Sequence, residues 1–188
     1  AGVAVVRDGH IDLRRSAVPA TLVSRSTALG VAGGNGDSTN PVIDGTARWV
    51  AFESRATNLN AFSDHNGAQP DVFLRHLANE TTLLASSSGG PIDGGNNGSF
   101  NASLSADGSA VAFESLATDL VAGDTNAVRD VFYARLDAVG AVVIPGLVRA
   151  SVQTGGAQAT GGASRNASIA VSAAGDVVLA YESDKTNL

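Results

Sequence analysis

The chain has no cysteine among its 188 residues. That excludes disulfides, thiolate metal sites and cysteine nucleophiles, and leaves the compartment open. Lysine occurs once, at Lys185, and 12 basic residues stand against 18 acidic ones for a formal charge of −6. Nucleic acid is therefore a poor partner, because phosphate contacts need Lys and Arg. No apolar run approaches the ~20 residues that span a bilayer. Ala1 to Val6 is too short for a signal-peptide core, consistent with a mature or trimmed exported product. Aromatic residues make up only 5%, so the core must be built mainly from Val, Ala, Leu and Ile.

What is abundant is turn chemistry. The 22 glycines, with many Ser, Asn, Asp and Thr, punctuate the chain at short intervals, which suits many short strands and an all-β class. Nearly the same ten residues then occur three times, beginning at Val50, Val111 and Leu179. Around each copy the same order recurs. A glycine-rich loop (Gly30 to Asn40, Gly89 to Gly98, Gly155 to Ser164) leads to a short segment at Pro41 to Gly45, Asn101 to Gly108 or Asn166 to Ile169, with Asn40, Asn101 and Asn166 at corresponding positions. The repeated word follows, then a polar loop, then Asp71-Val72-Phe73 or Asp130-Val131-Phe132, then a fourth apolar segment at Thr81 to Ser86 or Leu147 to Val152. Before the first full round the spacing predicts two strands, Val3 to Val6 and Thr21 to Ser26, with a polar turn at Asp8-Gly9-His10. The period is about 60 to 68 residues. A repeated four-strand unit with an aromatic on one central strand is what a β-propeller blade requires; Phe52, Phe113 and Tyr181 fill the gap between blades. A solenoid, or a sandwich with a duplicated hairpin, is the alternative.

Four words carry a resemblance: Ser103 to Gly108, Val111 to Ser115, Gly123-Asp124-Thr125-Asn126 and Asp130-Val131-Phe132. With them the chain resembles the TolB-like propeller repeat of bacterial envelope and secreted proteins, distantly related to WD-type blades. The first round departs from the pattern with Ile43-Asp44-Gly45 at its turn, and the third inserts residues around Ala173-Ala174-Gly175. The resemblance implies four-stranded blades, about three equivalents in this chain, and a secreted, periplasmic or cell-surface setting. Residues 1–39 then hold terminal half-blade strands and a loop, 40–100 and 101–165 are blades, and 166–188 is a half-blade. Propellers close with ~4 to 8 blades, so the chain is a partial propeller or half of a six-bladed ring. The two terminal halves, third and fourth strands at one end and first and second at the other, predict a homodimer or an assembly through the half-blades.

Chemistry concentrates in Asp124 to Asp130, echoed by Asp64 to Asp71. Side-chain oxygens of Asp64, Asn66 and Asp71, and of Asp124, Asn126 and Asp130, are spaced as a compact loop wraps calcium. The competing reading, which we favour, has these residues forming side-chain-to-backbone turns at strand entrances. Glu53, Glu114 and Glu182 recur at one blade position; in a ring they form a circle of carboxylates facing a channel ligand, or, the blander reading, strand-end acids paired with Arg. His10, His65 and His76 lie in no recognisable nucleophile motif, and neither Gly-x-Ser-x-Gly nor His-Glu-x-x-His occurs. The leading expectation is a non-catalytic module that recognises a protein, peptide or glycan. A structural subunit of an extracellular assembly and a polysaccharide- or peptide-processing enzyme domain are the alternatives.

Overall fold

The computed structural model describes residues 2–15, 18–26, 33–60, 64–88, 93–137 and 146–188. Parts of the loops Gly30 to Asn40, Gly89 to Gly98 and Asn58 to Pro70 lie outside them. Thirteen strands and no helix occur among the described residues, arranged in four antiparallel sheets. β1 (Gly2–Arg7), β2 (His10–Arg15) and β3 (Val18–Leu22) form the first. The second holds β4 (Ser38–Ile43), β5 (Trp49–Ser54), β6 (Asp71–His76) and β7 (Thr82–Leu84) in that order. The third repeats it with β8 (Ser99–Leu104), β9 (Ala110–Ser115), β10 (Asp130–Arg135) and β11 (Val148–Arg149). β12 (Gly161–Val171) and β13 (Val177–Lys185) form the last.

Strand equivalence follows from hydrogen bonds that recur in three sheets. The amides of Ile11, Val72 and Val131 donate to the hydroxyls of Ser24, Ser86 and Ser151 at 2.8, 3.1 and 3.1 Å. The carbonyls of the same three residues accept from Val23, Ala85 and Ala150 at 2.6, 2.8 and 2.8 Å. β2 therefore matches β6 and β10, the third strand of a unit. Val6 pairs with Ile11 as Glu53 pairs with Val72 and Glu114 with Val131, so β1 matches β5 and β9. The first sheet thus holds the second, third and fourth strands of a unit, which corrects the expectation of two strands there. β2 escaped notice because its buried Ile11 and Leu13 alternate with Asp12 and Arg14, so the segment reads as polar.

First strands share a device. β4, β8 and β12 each carry a register shift against their neighbour, with Asn40, Asn101 and Asn166 at φ of 50°, 50° and 55° inside it. Asn tolerates this left-handed region better than most residues, and the bulge re-aims the backbone. Hydroxyl pairs fasten first to second strands: Ser38 with Ser54, Ser99 with Ser115 and Ser164 with Ser183, each at 2.9 Å.

The core is three layers, one between each pair of successive sheets. Ile11, Leu13 and Val23 of the first sheet meet Val50, Phe52 and Phe73 of the second. Trp49, Ala51, Val72 and Leu74 meet Val111, Phe113 and Phe132. Ala110, Ala112 and Val131 meet Ala167 and Ile169, with Leu179 and Tyr181 packed alongside. β5 and β9 are buried along their whole length, so alternate residues feed the layers on either side. Phe52 stacks on Phe73, and Phe113 on Phe132, with ring centroids 5.9 Å apart in both pairs. Burying each such ring contributes roughly 1.5–3 kcal/mol. Tyr181 is half-buried and donates its hydroxyl proton to the Ala150 carbonyl at 3.2 Å.

Candidate functional site

The recurring glutamates act between sheets. Glu53 Oε1 accepts from Asn40 Nδ2 of its own sheet at 2.8 Å and from the Asn101 amide of the next at 2.8 Å. Glu114 Oε1 accepts from Asn101 Nδ2 at 3.1 Å and from the Asn166 amide at 2.6 Å, while its other oxygen takes Arg129 Nη1 at 2.9 Å. Both glutamates are buried. The left-handed turn at Asn aims the backbone amide out of its sheet and at the neighbour's carboxylate. Glu182 is different: its side chain is 67% exposed, with Arg165 Nε at 3.9 Å.

Of the two acidic sets, that of the second sheet forms a turn. Asp64 Oδ1 accepts from the amides of Asn66 (3.0 Å) and Gly67 (2.8 Å). Asn66 Nδ2 donates to Asp71 Oδ1 at 3.2 Å, and Ser86 Oγ donates to the same oxygen at 3.0 Å. Burial pushes the Asp71 carboxyl up to about 7, helped by the Asp64 charge and opposed by the Ser86 and Asn66 hydrogen bonds.

In the third sheet the carboxylates meet cations of the chain itself. Asp130 receives Lys185 Nζ at 2.8 Å, both side chains fully buried, and a hydrogen bond from Ser151 Oγ. Asp124 lies 3.3 Å from Arg149 Nη1 and accepts from Gln158 Nε2 at 3.0 Å. Its carboxyl is raised by burial and by Asp130, against the pull of Arg149. Asn126 turns away, accepting from the Val128 amide at 3.2 Å and donating to the Ala159 carbonyl at 3.4 Å. Among the described residues no group of three or more His, Cys, Asp or Glu could hold a metal ion.

Sequence reasoning missed Lys185, Arg149 and the two buried serines. One signal was available. Lys185 stands where the other copies of the repeated word have Ala56 and Ala117, and its amide donates to Ser183 Oγ as theirs do to Ser54 and Ser115. Of the histidines, His76 is buried edge-on to Trp49 with centroids 4.5 Å apart, and its Nδ1 accepts from the Asn79 amide at 3.2 Å. His65 is exposed and His10 half-buried.

A second constellation lies over the join of the second and third sheets. Asn66 Nδ2 also donates to the Asn97 carbonyl at 3.2 Å, tying the Asp64–Pro70 loop to the loop before β8. A Cβ on Gly98 would lie 3.4 Å from Gln69 Oε1 and 2.7 Å from the Phe100 ring, so these three meet at one point. Arg129 covers the Phe100 ring 4.8 Å from its centroid. Gln69 and Asn97 are exposed beside this pair, giving amides and a cation-capped ring on one surface.

No protein-family model and no curated protein matches the sequence. Among solved structures, the chain is similar to the crystal structure of the tricorn protease, with a TM-score of 0.52 and 12% identity over 90% of this chain. The chain spans 17% of the length of that protein, which has β-propeller domains. The likeness is one of fold.

Proposed function

We propose that the chain is a TolB-like propeller segment that recognises a protein, peptide or glycan in the bacterial envelope or outside the cell, without a reaction of its own. The observation that carries this is the surface over the sheet junction, where Gln69 and Asn97 flank the Arg129–Phe100 pair. Planar amides and a guanidinium-capped ring offer directional donors, acceptors and a flat apolar face together, the mixture that sugar rings and peptide backbones engage. The interior acids are engaged elsewhere: Glu53 and Glu114 in joining sheets, Asp124 and Asp130 with Arg149 and Lys185. Face-to-face stacking of two successive four-stranded sheets and the fold likeness support a propeller arrangement.

Screening the 188-residue chain against arrays of bacterial envelope glycans and envelope peptides tests the reading. Gln69→Ala and Asn97→Ala, both at exposed positions, should weaken any specific hit about tenfold without changing stability. A hit that both variants bind as tightly as the parent would move recognition off this surface, and no hit on either array would remove the recognition reading.

A further inference from the structure

The ion pair between Lys185 and Asp130 is incomplete as a polar contact. Lys185 Nζ lies 2.8 Å from Asp130 Oδ1 with both side chains fully buried. Among the described residues, however, neither Nζ nor Asp130 Oδ2 makes a hydrogen bond. An ammonium carries three donors, and burying them unmatched is strongly destabilising. The surroundings offer no relief. Asp124 is engaged by Arg149 Nη1 at 3.3 Å and by Gln158 Nε2 at 3.0 Å, and Ser151 Oγ donates to the Asp130 oxygen that Lys185 already touches. The placement is also particular to this junction. Lys185 is the only lysine of the chain, whereas the equivalent carboxyl, Asp71, meets Ser86 and Asn66, neither of which is an amine.

We propose that Lys185 and Asp130 condense into an amide after folding, a covalent cross-link between β13 and β10 of successive sheets. The freshly folded chain holds the ion pair. Passing one proton from Nζ to Oδ2 gives an amine and a carboxylic acid, the uncharged form of the pair that exclusion of water favours. Nζ then attacks Cγ, the atom bonded to the oxygen it already touches. The C–N bond forms and the Cγ–Oδ2 bond breaks. Oδ2 takes a further proton from Nζ and leaves as water, so the step needs no oxidant, reductant or other reactant. Oδ1 stays as the amide carbonyl and keeps its hydrogen bond from Ser151 Oγ, a donor already aimed at the oxygen that becomes negative during the attack. Holding the two groups in contact supplies the effective concentration that free amines and carboxylates lack in water. The product removes both unmatched atoms: Oδ2 is gone, and three ammonium donors become one N–H. Of this cluster it leaves one charge of each sign, Asp124 and Arg149, already paired at 3.3 Å. The cross-link is independent of the recognition reading.

Mass spectrometry of the intact 188-residue chain, followed over days of incubation in the folded state, should show the loss of one water. Trypsin then locates the bond. Without the cross-link, cleavage after Lys185 frees Thr186-Asn187-Leu188. With it, Lys185 resists cleavage and a single branched peptide joins residues 130–135 to residues 166–188. Lys185→Arg keeps a cation and should retain the full mass of its sequence. Because a variant that failed to fold would do the same, the tryptic map of the parent chain decides. An unchanged mass after incubation, with release of that tripeptide, overturns the inference. Loss of a water without the branched peptide overturns it too, since ring closure at an Asp-Gly pair such as Asp107-Gly108 would give that result.

Discussion

Asp71 and Asp130 open equivalent strands, accept from equivalent serines and are equally buried, yet they differ in how their charge is met. Asp130 has Lys185 at 2.8 Å. At the position equivalent to that lysine, Asp71 has Ala117, and its partners are the neutral Ser86 and Asn66. Arg149 beside Asp124 has an equally apolar counterpart, because Arg149 pairs with Phe132 as Leu84 pairs with Phe73. One repeat position therefore supports two solutions to a buried carboxyl: a counter-charge brought from the next sheet, or retention of the proton.

The largest break in this comparison is Lys185→Ala. It strands a buried carboxylate and should cost about 3–5 kcal/mol in urea unfolding, most of it recovered by adding Asp130→Asn. No recovery would mean that the lysine acts through packing alone.

Asp71→Asn comes next and acts with the opposite sign. Because the folded carboxyl titrates near 7 and the unfolded one near 3.8, the folded chain holds a proton between those values that the unfolded chain has lost. Stability attributable to Asp71 is therefore full below pH 4, falls as pH rises toward 7, and stays low above it. At pH 8 the variant should exceed the parent by up to about 4 kcal/mol, and at pH 4 by almost nothing. A constant difference across that range would show that Asp71 is ionised throughout.

Arg149→Leu, which copies the second sheet into the third, should cost about 1–3 kcal/mol by leaving Asp124 without its cation. Calcium gives the smallest effect. At about 1 mM it should raise stability by no more than about 1.4 kcal/mol, the value for a dissociation constant of ~0.1 mM. Asp64→Asn should abolish that rise and Asp124→Asn leave it intact; the reverse result would put the open carboxylates in the wrong sheet.

Repetition made much of this legible. β5, β6, β9 and β10 could be placed because Val50 to Ser54 and Asp71-Val72-Phe73 recur as words, and words survive where a burial pattern does not: strands buried on both faces show no alternation. The correspondence of Asn40, Asn101 and Asn166 was visible, but not its purpose, which depends on backbone φ and on a partner 48 or 52 residues away. β2 was lost to Asp12, Arg14 and Arg15. Lys185 was conspicuous as the sole lysine, but nothing local ties it to Asp130, which lies in another sheet. The Arg129–Phe100 pair has no sequence signature, since it joins the loop before β10 to a residue of β8, two strands earlier in the same sheet.

The asparagine bulge has a consequence for how the molecule comes apart. Repeat arrays whose units touch only through apolar layers can lose one unit at a time, each neighbour re-exposing surface that water accepts at modest cost. Here Glu53 and Glu114 each bond two sheets at once. If the third sheet melts, Glu53 loses the Asn101 amide, so a polar debt is left in the second. Cooperativity is thus written into a single backbone angle, and the sheets are bound to melt together.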